Sequence, residues 1–79
     1  MPTAHYENGF RFVIFFNDHG PAHIHVFGPD GEAKITLEGP EGLVLDWFVG
    51  IGRLEMRRIM QEAERERGRL LAEWRRIHG

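Results

Sequence analysis

The chain has 79 residues, no cysteine and a formal net charge of −2. A length near the lower limit for one unstapled core implies a single domain, 1–79, and the missing thiols exclude disulfides and thiolate metal sites. No basic segment followed by an apolar run opens the sequence, and the longest apolar run, Phe12 to Phe16, is far too short to cross a bilayer. The expectation is a small cytoplasmic protein with no membrane partner.

Charge is unevenly spread. Residues 1–52 carry Arg11 and Lys34 against seven carboxylates, whereas residues 53–79 carry eight arginines against five glutamates. Such an acidic first part and basic tail attract one another, or leave the tail for an anionic partner.

Thr3 to Tyr6 reads as a short first strand. Asn8-Gly9 is the pair that best tolerates positive φ at both centres of a two-residue hairpin, so the chain is expected to reverse there. Phe10 to Phe16 is apolar on both faces, which places it centrally in a sheet. Asp18 to Pro21 is a turn. His23 to Gly28 then alternates in character, Pro29-Asp30-Gly31 turns again, and Glu32 to Glu38 alternates Ala33, Ile35 and Leu37 with polar residues. With Asp30-Gly31 as a two-residue loop, Val26 faces Ile35 and Ile24 faces Leu37 on the core side. On the other side His25 faces Thr36, His23 faces Glu38 and Phe27 faces Lys34. This register keeps each face of one kind and sets a carboxylate opposite His23, the neighbour that favours an imidazolium.

Gly39 to Gly42 is a further turn, and Leu43 to Phe48, with Asp46 its one charge, is expected to be a fifth strand. Gly50 and Gly52 interrupt the pattern before a helix. From Arg53 to His78 the apolar residues Met56, Ile59, Met60, Ala63, Leu70, Trp74 and Ile77 share one stripe at about 100° per residue. The phase persists across Gly68, so a bend is expected there in a helix that would otherwise run about 39 Å at about 1.5 Å per residue. Nearly opposite the stripe, Arg58, Arg65, Arg69 and Arg76 form a row suited to phosphates. Glu55, Glu62 and Glu73 lie beside that row, which makes a self-neutralised solvent face the more economical reading. The fold class is α+β: an antiparallel meander of four or five strands over residues 1–49, one face packed by a C-terminal helix over residues 53–78.

The chemistry-bearing stretch is Asn17-Asp18-His19-Gly20-Pro21-Ala22-His23-Ile24-His25-Val26. In a strand His23 and His25 point to one face, about 6–7 Å apart along it, close enough to act on one small ligand. His23 beside Glu38, and His25 beside Thr36, are candidates for an acid–base pair, with His19 or Asp18 to orient them. Such a pair can cleave RNA without metal, through the RNA's own 2′-hydroxyl. Zinc held by His19, His23 and His25 is the alternative cofactor reading. Histidines on a solvent face also simply tolerate exposure, and that third reading stays open beside the other two. Lys34, Thr36 and the four arginines are candidate binding residues.

Taken together, Gly9-Phe10-Arg11-Phe12, the histidine stretch, Gly31-Glu32-Ala33-Lys34, Glu55-Met56-Arg57-Arg58-Ile59 and Leu70-Leu71-Ala72-Glu73-Trp74 resemble the small bacterial proteins known as domain of unknown function 4160. The likeness covers essentially the whole chain. It implies the toxin-like member of a toxin–antitoxin pair, because genes of this family often neighbour those of a second small family. The open sheet face is expected to be covered by a cognate small antitoxin-like protein or a second copy, and RNA is a further candidate partner of the histidines and arginines. Gly52 departs from the serine-like helix cap expected at that position. Two functions follow: a histidine-centred nuclease or nucleotide-processing enzyme, or a non-catalytic module that docks a partner protein or nucleic acid.

Overall fold

Asn8 and Gly9 have φ of 50° and 84° in the computed structural model, which describes residues 3–79. Positive φ at both central residues is what a two-residue hairpin requires, and the pair joins β1 (Thr3–Glu7) to β2 (Phe10–Val13) with Glu7 opposite Phe10. β3 (His23–Phe27), β4 (Glu32–Gly39) and β5 (Gly42–Val49) complete one antiparallel sheet in the order β1-β2-β3-β4-β5. Two helices, α1 (Arg53–Arg65) and α2 (Arg67–His78), close the chain.

Alternation decides which face is covered. Phe12, Ile24, Val26, Ile35 and Leu37 are fully buried on the helix side, with Met56, Ile59 and Ala63 of α1 and Leu70, Leu71 and Trp74 of α2 packed in the same core. Each such large side chain contributes about 1.5–3 kcal/mol of transfer free energy. The opposite face bears Arg11, His25, Phe27, Glu32, Lys34 and Trp47, and among the described residues the helices reach it only at one edge, where Trp74 and His78 of α2 meet His23 and the Phe15 segment.

Three expectations need correction. The β3–β4 register differs by two residues from the expected one: His23 pairs with Thr36, Ile24 with Ile35, His25 with Lys34 and Phe27 with Glu32. The loop is Gly28 to Gly31, closed by Gly28 N–H donating to Gly31 O at 2.9 Å. A Cβ on Gly31 would collide with the Val49 carbonyl, so the turn is held against the end of β5 by a residue without a side chain. A two-residue slip keeps every side chain on its expected face but changes every partner, and Glu38 is no longer opposite His23. The segment after Gly9 forms a strand only to Val13, and β3 rather than β2 is the central strand.

Third, the helical segment breaks at Glu66 (φ −96°, ψ 7°) and not at Gly68, which lies exposed within α2 with nothing near its α-carbon. Two anchors just after the break account for its position. Arg67 Nε donates to Leu37 O at 2.8 Å and Arg69 donates to Ala4 O at 2.8 Å, so α2 is tied to the sheet by hydrogen bonds that a straight continuation would not place. At the start of α1, Gly52 does serve as the cap residue. Its N–H donates to the Glu55 carboxylate at 3.1 Å, the half of a capping box that needs no side chain on the cap.

Candidate functional site

β3 carries His23 and His25 on the uncovered face, and the segment after β2 returns over them. Phe15 sets its ring edge-on to His25 at 4.9 Å and to Phe27 at 6.1 Å. The C-terminal turn of α2 holds this segment: the His78 ring lies 3.1 Å from the Phe15 carbonyl through Nε2 and stacks on Trp74 at 3.8 Å. Trp74 in turn lies 5.0 Å from His23. The Gly20–Pro21 peptide is cis, and Asp18 comes to rest above the two strand histidines.

The resulting geometry is specific. Asp18 Oδ2 lies 2.9 Å from His23 Nε2 and 3.5 Å from His25 Nε2. His23 Nδ1 lies 2.9 Å from the Pro21 carbonyl oxygen, which can only accept, so Nδ1 carries a hydrogen. His25 Nδ1 is buried without a hydrogen bond, and the nearest charged oxygen is Glu32 Oε2 at 3.5 Å. Both rings therefore present Nδ1 to an oxygen acceptor and Nε2 to the same carboxylate oxygen. Two imidazole nitrogens thus converge on one carboxylate oxygen, an arrangement that a proton on His23 Nε2 donated to Asp18, or a cation held between the three groups, would each satisfy.

The expected site residues divide into three places. His23, His25 and Asp18 come together, their candidate ligand atoms all within 4.8 Å of one another. His19 is not in that group; with Glu38 it lines an adjoining cavity of about 350 Å³ together with Asp18, Trp74, Arg75 and His78. Glu38 meets Arg75 at 3.4 Å instead of His23. Lys34 and Thr36 stand across from His25 and His23 on the same face, with Thr36 Oγ1 donating to Asp46 at 2.6 Å.

The four arginines belong to the helix side. Arg65 pairs with Glu62, Arg69 with Glu66 at 2.6 Å and Arg76 with Glu73, each with the glutamate three residues earlier. The hydrogen bond from Arg69 holds the Glu66 carboxyl below its usual value, and that from Arg76 does the same for Glu73 while raising Arg76 itself. Arg58 and Arg65 line a groove of about 580 Å³ with Glu7, Glu55 and Glu62. The arginines of this groove stand among carboxylates of the same chain, and the histidine centre lies on the other face.

Glu32, Phe15 and Trp47 were not among the expected site residues. Trp47 is cross-strand from Lys34 and 6.4 Å from His25. The shift in register concealed Glu32, and a residue in an irregular segment such as Phe15 has no periodicity to declare its direction. Arg11 lies over the Phe27 ring at 5.6 Å, which adds a cation to this aromatic surface.

No curated protein and no solved structure matches the chain. A family model described as domain of unknown function (DUF4160) matches residues 9–75, a span that holds Asp18, His23 and His25 together with β2 to β5, α1 and most of α2. The chain therefore belongs to the DUF4160 family.

Proposed function

We propose that this chain is a toxin-like nuclease or nucleotide-processing enzyme of bacterial origin, with Asp18, His23 and His25 as its reacting centre. The observation that carries the reading is the convergence of two imidazole Nε2 atoms on one Asp18 oxygen, at 2.9 and 3.5 Å, on the sheet face opposite the apolar core. Phe15, Phe27 and Trp47 around His25 offer rings against which a base can stack. Arg11 and Lys34 supply cations for phosphate on the same face. In RNA cleavage of this type the 2′-hydroxyl oxygen bonds to the adjacent phosphorus and the bond to the 5′-oxygen breaks. The centre takes the hydroxyl proton and returns it to the departing 5′-oxygen, leaving a 2′,3′-cyclic phosphate and a free 5′-hydroxyl.

The test compares wild type with the His23→Ala/His25→Ala double variant and with His25→Gln, whose fold is checked by circular dichroism. Expression of wild type should arrest growth, and the purified chain should cut a short unstructured RNA to cyclic-phosphate ends. Loss of positioned proton transfer should slow cutting by about 10²–10⁴-fold in both variants. Arrest and cutting that persist unchanged in the variants would remove the histidines from the chemistry.

A second reading, a non-catalytic docking module, is favoured by the exposed apolar groups of the same face. Tyr6 is 63% and Val49 64% exposed, with Val44 and Trp47 also open to solvent. A small antitoxin-like partner or a second copy covering this face would bury the histidines and silence the centre. Chemical-shift mapping with the neighbouring gene's product should perturb residues around His25 and Trp47. Perturbation confined to the Arg58–Arg76 side would exclude this mode of control.

A further inference from the structure

We infer that Asp18, His23 and His25 form a three-ligand site for a divalent transition ion of the zinc type, with at least one coordination position left open. The inference keeps the centre of the enzyme reading but changes its chemistry, since with both Nε2 atoms on an ion a water activated there, and not an imidazole, would take the proton. It rests on that reading only for the use made of the ion. Three observations support it. The ligand set is two imidazole nitrogens and one carboxylate oxygen, a donor mixture that suits zinc or iron and not the all-oxygen preference of magnesium or calcium. The Asp18 Oδ2 to Nε2 distances of 2.9 and 3.5 Å bracket the separation of about 2.9–3.4 Å between ligands bonded at about 2.0–2.1 Å in octahedral to tetrahedral geometry. The third separation lies within 4.8 Å, so a small ring movement completes the set.

The outer shell points the same way. A metal-binding histidine almost always donates its other N–H to a carbonyl or carboxylate, which fixes the tautomer and leaves the free nitrogen aimed at the ion. His23 Nδ1 does so to Pro21 O at 2.9 Å, and His25 Nδ1 faces Glu32 Oε2 at 3.5 Å. The buried and otherwise unbonded His25 Nδ1 is explained if that contact tightens when the ring is drawn onto an ion. Among the described residues, the only ion-pair partners of Asp18 are these two histidines, so no lysine or arginine of the chain supplies the missing positive charge.

The group formed by His5, Glu7 and Glu62 shows what a filled arrangement looks like. There Arg69 donates to His5 Nδ1 at 2.7 Å, which obliges Nε2 to carry the hydrogen it gives to Glu62 at 2.6 Å. Its nitrogen lone pair is already used, and no ion is needed. With an ion at the Asp18 centre, a water or a phosphoryl oxygen takes the open position on the side of the Asp18–His19–Glu38 cavity.

The experiment uses the full untagged chain, stripped with a chelator and titrated with zinc chloride and, separately, cobalt chloride. Zinc content should approach one ion per chain. Cobalt should produce visible absorption and quench tryptophan emission, because both tryptophans of the chain flank the centre, Trp74 at 5.0 Å from His23 and Trp47 at 6.4 Å from His25. Asp18→Asn and His25→Gln should weaken binding by more than about tenfold and Glu32→Gln by about 10–100-fold, in line with outer-shell losses. His5→Ala and His19→Ala should bind as wild type does. No zinc on the folded wild-type chain, zinc retained unchanged by Asp18→Asn and His25→Gln, or zinc lost with His5→Ala, would each overturn the inference. Zinc binding without RNA cleavage upholds the site and counts only against the enzyme reading. Cleavage by stripped protein in excess chelator upholds the enzyme reading and overturns the metal site.

Discussion

Two histidine clusters lie on opposite faces of one sheet, built from the same residue types, and they are wired in opposite ways. On the helix-covered face the chain Glu62, His5, Arg69, Glu66 alternates acceptor and donor at every step, with contacts of 2.6, 2.7 and 2.6 Å. It ties β1 to both helices across 57 and 64 residues of sequence. On the other face, Asp18 Oδ2 is shared by His23 Nε2 at 2.9 Å and His25 Nε2 at 3.5 Å, and His25 Nδ1 is buried without a hydrogen bond. The first cluster is fully paired and cross-links the fold; the second keeps binding capacity in hand. Composition alone does not separate a structural histidine from a functional one; the direction of each N–H does.

The comparison breaks most sharply at Glu62. Its side chain is only 8% exposed, between His5 and Arg65. Glu62→Ala should cost about 1–3 kcal/mol, since the His5 N–H loses its acceptor in a largely buried place. For a domain this small that amounts to about 4–8 °C in melting temperature per kcal/mol, readable by calorimetry or circular dichroism. Asp18→Asn, by contrast, should leave the melting temperature within a few degrees of wild type, because the side chain is partly exposed and the amide oxygen can still accept from His23. Equal losses at the two positions would mean the clusters do not differ in kind. His5→Ala should cost an amount similar to Glu62→Ala, about 1–3 kcal/mol, since it breaks the same bond and leaves one side of a buried carboxylate unsatisfied.

The helix side also yields a gain. Gly68 lies inside α2 with open space around its α-carbon and without positive φ. Gly68→Ala should stabilise by about 0.5–1 kcal/mol in urea unfolding, by removing conformational freedom from the unfolded chain. A loss there would indicate that the glycine, and not the anchoring at Glu66, sets the path of the helices.

The smallest effect is in acid. Glu66 and Glu73 have carboxyls held below the ordinary value of 4.5 by hydrogen bonds from Arg69 and Arg76. A lowered folded-state value means the stabilisation is complete above about pH 4.5 and is lost as pH falls through the folded value. Both groups are solvent-exposed, so the contribution is small and salt-sensitive. Glu66→Gln/Glu73→Gln should flatten the acid limb of a melting-temperature profile between about pH 6 and pH 3.

What the sequence disclosed is the set of faces. Alternation in β3 and β4 placed Ile24, Val26, Ile35 and Leu37 on the helix side and His23, His25, Lys34 and Thr36 on the other, as observed, but His23 is buried there against Trp74 and not open to solvent. A period of two is blind to a slip of two, so the partner of each histidine could not be read from it. One hydrogen bond inside the Gly28–Gly31 loop made that choice. The helix stripe was legible as well, but its interruption was assigned to the weak helix former Gly68, whereas Arg67 and Arg69 fix the break by bonds to the sheet. The Asp18 contact spans a loop, where no periodicity guides an inference, and only proximity in sequence suggested it.

One detail of β5 bears on how this chain behaves at high concentration. Lys34 pairs with Trp47 and Ile35 with Leu45, so Asp46 is an extra residue in the outermost strand. An edge strand presents free amide and carbonyl groups to any neighbour able to extend the sheet, and Val44, Trp47, Phe48 and Val49 make this edge adhesive. The insertion kinks the strand and divides that edge into two short lengths, 42–45 and 47–49, that no single straight strand can follow. Asp46 is thereby a guard against filament growth, and shortening β5 by that one residue would straighten the edge and invite molecules to stack strand upon strand.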